Sequence, residues 1–232
     1  MRLLIKLASR SRPTQLLSIV QSYINFALDT SRIVFVISVD SDDETVTEEL
    51  QKQIKDIHPC IKLFVGTSKS KIDAINRDIP HPSTFDILLV ASDDMIPQVK
   101  GYDNIIREKM RKHYPDTDGV LFFNDGYLGR SLNTLSIMGR KYYQRFGYIY
   151  YPGYKSFYCD NEFMRTAERL RKQTYFHQVI IRHRHCVYDQ GVPFDALYQR
   201  NSKYSDEDKA LYERRNPPPK KLLSFLNTTS RT

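Results

Sequence analysis

The segment Asp86-Ile-Leu-Leu-Val-Ala-Ser-Asp-Asp-Met95 decides the fold class of this chain, because a short apolar run leads directly into acidic residues. The run 87–90 is uninterrupted, as in strands of a parallel sheet that are covered on both faces. In open α/β sheets, ligands bind at the carboxyl ends of such strands. Asp93 and Asp94 therefore lie where two carboxylates can hold a hard divalent cation, although Ser-Asp-Asp also suits an ordinary turn.

Similar apolar runs alternate with amphipathic segments along the first two thirds of the chain. This alternation is typical of βα units stacked on a mostly parallel sheet with helices on both faces, an α/β sandwich of three layers. Strands are predicted at 3–7, 33–39, 61–65, 87–90, 119–123 and 179–185, and helices at 13–24, 42–57, 70–77 and 102–113. The aromatic-rich stretch 142–158 fits either core or a stacking platform for a sugar or base.

Composition limits the class of protein. The 232 residues suit one α/β domain with an appended tail. No apolar run reaches the roughly 18–20 residues of a membrane helix, and the N-terminal run is too short for a signal peptide. The cysteines, at 60, 159 and 186, form neither a disulfide framework nor a zinc motif. We therefore expect a soluble protein of the reducing cytoplasm.

Charge is distributed unevenly. The formal net charge is +8, and residues 165–232 hold 14 of the 35 lysines and arginines but only 7 of the 27 acidic residues. Such an excess favours an anionic partner, namely a nucleotide diphosphate, an acidic glycan, a lipid headgroup or nucleic acid. A solvated basic helix and tail explain the same excess without any partner.

Known phosphate-binding loops are absent from the sequence. It contains neither G-x-x-x-x-G-K-[ST] nor G-x-G-x-x-G, and it has no G-x-S-x-G nucleophile elbow. Three further strand ends carry polar residues, at 8–13, 40–43 and 68–76. Together with Asp93 and Asp94 they predict a crevice that offers acids for a metal or ribose and bases for phosphate.

These motifs resemble the GT-A glycosyltransferases, particularly family-2-like enzymes, over roughly residues 1–190. The resemblance implies the Rossmann-like GT-A sandwich and sugar transfer from a nucleotide-sugar donor. It implies that a first-strand loop wraps the base and that the acid after the second strand contacts base or ribose. Lys71-Ile-Asp-Ala-Ile-Asn76 resembles a further family motif. The donor-binding residues implied so far are Ala8, Ser9, Arg10, Arg12, Asp40, Lys71 and Asn76.

The family's D-x-D motif falls on Ala91-Ser92-Asp93, so alanine stands where the first acid is usual. The resemblance implies that Asp93 ligates Mn²⁺ or Mg²⁺, with Asp94 as the alternate ligand and Ser92 beside the donor. A late-strand histidine often assists, which makes His185 the first candidate and His183 the second. A pair of strand-edge histidines with structural hydrogen bonds is the alternative.

An acidic helix start follows the aromatic stretch. Tyr158-Cys-Asp-Asn-Glu-Phe163 resembles the region that holds the general base of inverting family members. Asp160 is the implied base and Glu162 its substitute, although acids at a helix start also serve as caps. Asn124 and Asp125 are secondary candidates for sugar or acceptor recognition, and Asp125-Gly126 is equally a turn signal.

We expect a catalytic domain over 1–200, divided at about 115/116 into a nucleotide-binding half and an acceptor half, followed by a helix and a basic, proline-containing tail over 201–232. The resemblance favours a UDP-sugar donor and an inverting transfer. A glycan, a lipid-linked or other anionic acceptor and a modified DNA base all stay open, as does the oligomeric state.

Two other classes of protein compete with this prediction. An inactive nucleotide- or nucleic-acid-binding module would exploit the basic final third. A sugar-nucleotide nucleotidyltransferase usually carries a glycine-rich loop after the first strand, whereas residues 8–13 contain no glycine.

Overall fold

The structure is a computed structural model that describes residues 1–217. Its strands are β1 (Leu3–Ser9), β2 (Ile33–Asp40), β3 (Ile61–Gly66), β4 (Ile87–Ala91), β5 (Met95–Pro97), β6 (Val120–Phe123), β7 (Ile137–Gly139), β8 (Gln173–Phe176) and β9 (Ile181–His183). Seven of them form one sheet in the order β3-β2-β1-β4-β7-β6-β8, in which only β7 runs antiparallel to its neighbours. β5 and β9 pair separately as an antiparallel ribbon.

The helices are α1 (Pro13–Phe26), α2 (Glu48–Ile57), α3 (Lys71–Asn76), α4 (Tyr102–His113), α5 (Arg140–Gln144), α6 (Cys159–Arg169), α7 (Ala196–Ser202) and α8 (Ser205–Arg215). Local sequence explains several starts. Pro13 occupies the first position of α1, where its missing N–H costs nothing. The hydroxyls of Thr47 and Ser70 accept hydrogen bonds from the first turns of α2 and α3.

The sheet lies between two helical layers. Alternate residues of β1 point to opposite faces, so that Leu3 and Ile5 pack against α1, α2 and α4, while Leu4 packs on the face covered by α3, α5 and α6. All three side chains are fully buried. Burial on both faces explains the uninterrupted apolar runs and confirms the predicted three-layer α/β sandwich with a mostly parallel central sheet.

Several predicted boundaries were wrong. The last strand ends at His183 and leaves the main sheet to pair with β5, and the sequence analysis did not predict β5, β7 and β8. Helix α2 begins at Glu48, because the acids at 42–43 bond to the loop after β1 instead of starting a helix. Much of the aromatic stretch 142–158 lies in the core beneath α6.

The end of the described chain is tied to the domain. The buried carboxylate of Asp208 on α8 accepts hydrogen bonds from the backbone N–H groups of residues 155, 156 and 157 at 2.7–2.8 Å. The predicted boundary at residue 200 falls inside α7. Residues 218–232 of the predicted tail lie outside the described residues. Within 1–217, no helix combines the length and the apolar character needed to cross a bilayer.

Candidate functional site

A crevice of about 470 Å³ opens at the carboxyl ends of β1, β2 and β4, where the sequence places its polar strand ends. Helix α7 and the starts of α3 and α6 form its other walls. Most predicted site residues line this crevice: Ala8, Ser9, Arg10, Arg12, Asp40, Lys71, Ser92, Asp93, Asp94, Asp160, His183 and His185.

Asn76 does not line the crevice. Its amide nitrogen donates to the carbonyl of Tyr150 at 2.7 Å, and its oxygen accepts from the backbone N–H groups of Ile149 and Tyr150 at 2.9 and 3.2 Å. Asn76 therefore joins the end of α3 to the aromatic segment. The prediction that it contacts the donor is corrected to a structural role.

Asn124 and Asp125 also point away from the crevice. The Asp125 carboxylate is buried and accepts from the N–H groups of residues 127 and 128 and from the hydroxyl of Thr134, all within 2.9 Å. Asn124 accepts from the N–H of Gly126 at 2.9 Å. Both residues build the turn after β6, which was the alternative interpretation of this motif.

Glu162 lies across α6 from the crevice. Its carboxylate accepts from Arg215 at 2.8 and 2.9 Å and from the hydroxyl of Tyr154 at 2.7 Å, which joins α6 to α8. These donors lower the pKa of Glu162 against the opposing effect of burial. Glu162 is therefore a structural ion-pair partner, and the prediction that it substitutes for the base is corrected.

Asp93, at the end of β4, is held by the loop after β1. Its two oxygens accept from Arg12 at 2.7 Å and from the hydroxyl of Ser9 at 2.8 Å. Burial and the neighbouring charge of Asp94 raise the pKa of Asp93. Both oxygens of this carboxylate therefore already have donors within the protein.

Asp94 faces the opposite wall. Its Oδ2 accepts from the hydroxyl of Tyr198 on α7 at 2.9 Å, and its Oδ1 lies 3.5 Å from Nε2 of His183 and bonds to Ser92. Burial opposes ionisation, but His183 and Ser92 outweigh it and lower the pKa of Asp94 below its ordinary value. His185 lies beside this pair, and burial lowers its pKa to about 4, so its imidazole is neutral at pH 7.

Asp40, at the end of β2, is a further acidic residue that lines the crevice. Asp40 accepts through Oδ2 from Arg10 at 3.0 Å, and Arg10 also binds Asp42 at 2.5 and 2.9 Å. Within residues 1–217, Oδ1 of Asp40 is buried without a hydrogen-bond partner. A buried acceptor without a donor is costly. Nη2 of Arg77 lies 3.8 Å from this oxygen, which is an ion pair but not a hydrogen bond, so Oδ1 keeps acceptor capacity at a residue that lines the crevice.

Asp160 occupies the first turn of α6. In the described part of the chain, the only hydrogen bond that its carboxylate accepts comes from the backbone N–H of Asn161, at 2.9 Å. Burial raises its pKa, partly opposed by Lys71 and His183. A carboxylate with a raised pKa and unused acceptor capacity has the properties of a general base.

Two residues at this site, Asp195 and Tyr198, were not predicted from the sequence. Asp195 accepts from Arg12 at 2.8 Å, and the ring of Tyr198 lies 4.5 Å from the Arg12 guanidinium. Asp195 also caps α7, a local pattern that predicts a helix start but no contact with β1. Only the tertiary fold brings α7 over the end of β4.

The ligand chemistry fits a divalent cation only in part. One carboxylate and one imidazole, from Asp94 and His183, converge, and oxygen and nitrogen ligands suit Mn²⁺ or Mg²⁺. Across the described residues, no group of three or more His, Cys, Asp or Glu side chains converges on one point. A cation here would need oxygens of a bound phosphate, or water, to complete its shell.

The fold is that of the GT-A glycosyltransferases. The mannosyltransferase PcManGT of Pyrobaculum calidifontis, solved with GDP-Man and Mn²⁺, superposes with a TM-score of 0.66 at 12% identity over 94% of this chain and 66% of that one. TarS 1–349 of S. aureus gives 0.60 at 9% identity over 78% of this chain and 60% of that one, and its UDP-GlcNAc complex gives 0.59 at 11%. The chain thus spans less than two thirds of these structures. No protein-family profile and no curated protein sequence matches it.

Proposed function

We propose that this chain is a metal-dependent, inverting glycosyltransferase that moves a sugar from a nucleotide-diphosphate sugar to a hydroxyl acceptor. The observation that carries the proposal is the composition of the crevice on a GT-A fold. Asp40, the adjacent pair Asp94 and His183, and Asp160 all line it. The three features correspond to nucleotide binding, diphosphate binding and proton removal.

The nucleotide is assigned to Asp40, which lines the crevice and whose Oδ1 has no hydrogen-bond partner within residues 1–217. Uracil and guanine both present a ring N–H that can donate to a carboxylate. We therefore propose a UDP- or GDP-sugar, and we favour UDP because the resembling family uses it most often. The complexes of similar structures, with GDP-Man and UDP-GlcNAc, are consistent with either base.

The diphosphate is assigned to the middle of the crevice. Lys69, Lys71 and Arg200 line the crevice and form no ion pair with any residue in 1–217. Their charges would stabilise the developing charge of a leaving diphosphate. Asp94 and His183 would hold Mn²⁺ or Mg²⁺, with Asp93 and His185 next to them. When bound, such a cation supplies Lewis-acid neutralisation of the leaving group.

Asp160 is the proposed general base. Its carboxylate would take the proton of the acceptor hydroxyl while that oxygen attacks the anomeric carbon and the bond to the diphosphate breaks. Its raised pKa strengthens it as a proton acceptor, and the few hydrogen bonds that it accepts leave its oxygens free for the acceptor. General-base assistance of this kind contributes about 10²–10⁴-fold to rate.

The test is a screen of nucleotide-sugars with Mn²⁺ or EDTA, read by thermal stabilisation and by release of nucleoside diphosphate. A ligand at 100 times its Kd stabilises the fold by about 2.7 kcal/mol, which the melting temperature reports. Asp94→Asn is expected to abolish the metal-dependent part of the response, whereas the matched control Asp56→Asn, on the exposed face of α2, keeps it. If no donor stabilises or turns over with metal present, the transferase proposal fails.

A further inference from the structure

A lysine lies in the middle of the central sheet. Lys6, in β1, is fully buried between Val36 of β2 and Val90 of β4, its partners in register. Its ammonium group donates a hydrogen bond to the hydroxyl of Ser38, which in turn donates to Asp78 at 2.6 Å. Burying an ammonium group is costly, so an apolar residue would serve the core better.

The polar chain continues to an arginine beneath the crevice. Arg77 donates to Asp78 at 2.8 Å, to the carbonyl of Val39 at 2.6 Å and to the hydroxyl of Ser68 at 2.9 Å. Gly66 makes room for this guanidinium, because a Cβ at that position would lie 2.5 Å from its Nη1.

Two walls of the crevice depend on this guanidinium. Val39 directly precedes Asp40, and Ser68 lines the crevice itself. Nη2 of Arg77, which donates to the carbonyl of Val39, also lies 3.8 Å from Oδ1 of Asp40. Asp78 fixes the orientation of Arg77. The series of hydrogen bonds that begins at Lys6 therefore ends at Val39 and Ser68, next to the proposed nucleotide site.

We propose that Lys6 is a positioning residue for the nucleotide: through Ser38, Asp78 and Arg77 it holds Asp40 and Ser68 in the geometry that binds the base and ribose. The inference rests on the proposed function. It adds that affinity for the nucleotide depends on a side chain in the core that does not line the crevice.

The strength of these hydrogen bonds depends on whether Lys6 is protonated. Burial lowers the pKa of Lys6 to about 7; Asp78 raises it and Arg77 lowers it. These are the charged groups that face it, since the neighbouring strands present valines and α3 presents Ile72 and Ile75 on the same face. A charged donor makes the stronger hydrogen bond. Loss of the Lys6 proton therefore weakens the chain, and nucleotide affinity is expected to fall as pH rises through about 7.

The experiment compares Lys6→Met with Leu4→Met. Leu4 lies on the same strand and the same face but outside the polar chain, so it controls for repacking. Calorimetry gives the Kd of UDP and of GDP, with Mn²⁺ at fixed concentration, at several values between pH 6 and pH 8.5. The nucleotide's own phosphate titrates near pH 6. The readout is therefore, for each nucleotide and each pH, the Kd of Lys6→Met divided by the Kd of Leu4→Met, because that titration cancels in the ratio.

At pH 6 we expect Lys6→Met to bind about three- to tenfold more weakly than Leu4→Met, the loss typical of one charge-assisted hydrogen bond. The ratio should be smaller at pH 8.5, where the neutral lysine of the control still donates to Ser38 but makes the weaker hydrogen bond. Ser38→Ala, which breaks the same chain without altering the lysine, should weaken binding in the same direction and serves if Lys6→Met does not fold.

A ratio of one at every pH would remove any role for Lys6. A ratio above one at every pH, with unchanged affinity in Ser38→Ala, would mean that Lys6 has only a packing role. Either result overturns the inference while the proposed function stands. A wild-type protein that binds neither nucleotide at any pH overturns the proposed function and this inference together.

Discussion

Replacing the proposed base, Asp160, by asparagine separates catalysis from folding. The carboxylate accepts one hydrogen bond, from the N–H of Asn161, and the asparagine side-chain oxygen can accept the same bond. The change therefore removes a proton acceptor from the crevice without breaking any other hydrogen bond that this side chain makes to the described residues.

The expected magnitudes follow from this geometry. Loss of general-base assistance should lower kcat by about 10²–10⁴-fold, or about 3–5.5 kcal/mol of barrier. Stability should change in the opposite direction. A carboxyl whose pKa is raised in the folded state loses its stabilising contribution as pH rises through that pKa, so at high pH Asp160 contributes less to stability than at low pH. Asp160→Asn should thus melt at the same temperature as wild type or higher.

The assay measures kcat and donor KM on the donor found by the screen, together with melting temperature at pH 7. Glu162→Gln, two residues away, is the matched control. It breaks the ion pair with Arg215, so we expect a loss of about 1–2 kcal/mol of stability with kcat unchanged. An Asp160→Asn enzyme that keeps wild-type kcat would refute the assignment, as would a Glu162→Gln enzyme that loses kcat with its fold intact.

Other substitutions test the site and the frame that holds it. Tyr198→Phe removes the hydrogen bond to Asp94 and should tighten Mn²⁺ binding severalfold in a titration followed by electron paramagnetic resonance; unchanged affinity would mean that the hydroxyl does not compete with the cation. Asp208→Ala leaves three backbone N–H groups without their acceptor and should cost about 3 kcal/mol in urea denaturation, and a cost below about 1 kcal/mol would contradict the anchoring role of α8. Asp103→Ala removes the carboxylate that pairs with the buried guanidinium of Arg107 and should cost about 3–5 kcal/mol in urea denaturation; a cost below about 1 kcal/mol would mean that the remaining carbonyl acceptors of Arg107 suffice.

The central strands were predictable because a strand that is buried on both faces of a sheet has a nearly continuous run of apolar residues. Residues 33–39 are apolar except for Ser38, residues 87–90 are apolar throughout, and these runs form β2 and β4. Strands of three or four residues leave no comparable trace. β7 spans Ile137–Gly139 and exists because it pairs with β4 and β6, an interaction between distant parts of the chain that local pattern does not encode.

The site was predictable to the same extent. Residues at the ends of β1, β2 and β4 were identified because parallel strands bring their carboxyl ends together. Tyr198 and Asp195 were not identified, because their partners Asp94 and Arg12 lie more than 100 residues away in sequence and no motif links the two segments. Asn76 matched a family motif yet serves the fold, since a motif fixes residue type and spacing but not the partner of the side chain.

The alanine in the D-x-D position marks a difference between this site and the motif of the GT-A enzymes that the chain resembles. Ala91 is buried in the core cluster beneath α1, in register with Leu7, so a carboxylate there would lie among apolar side chains. The next acid, Asp93, is bound on both oxygens by Arg12 and Ser9. Asp94 is bound as well, through Oδ1 to Ser92 and through Oδ2 to Tyr198. The contact to Tyr198, on the separate helix α7, would have to open before Oδ2 could bind a ligand. Of the two acids at the end of β4, Asp93 thus holds the segment that follows β1, and Asp94 is the one whose contact with a ligand depends on the position of α7.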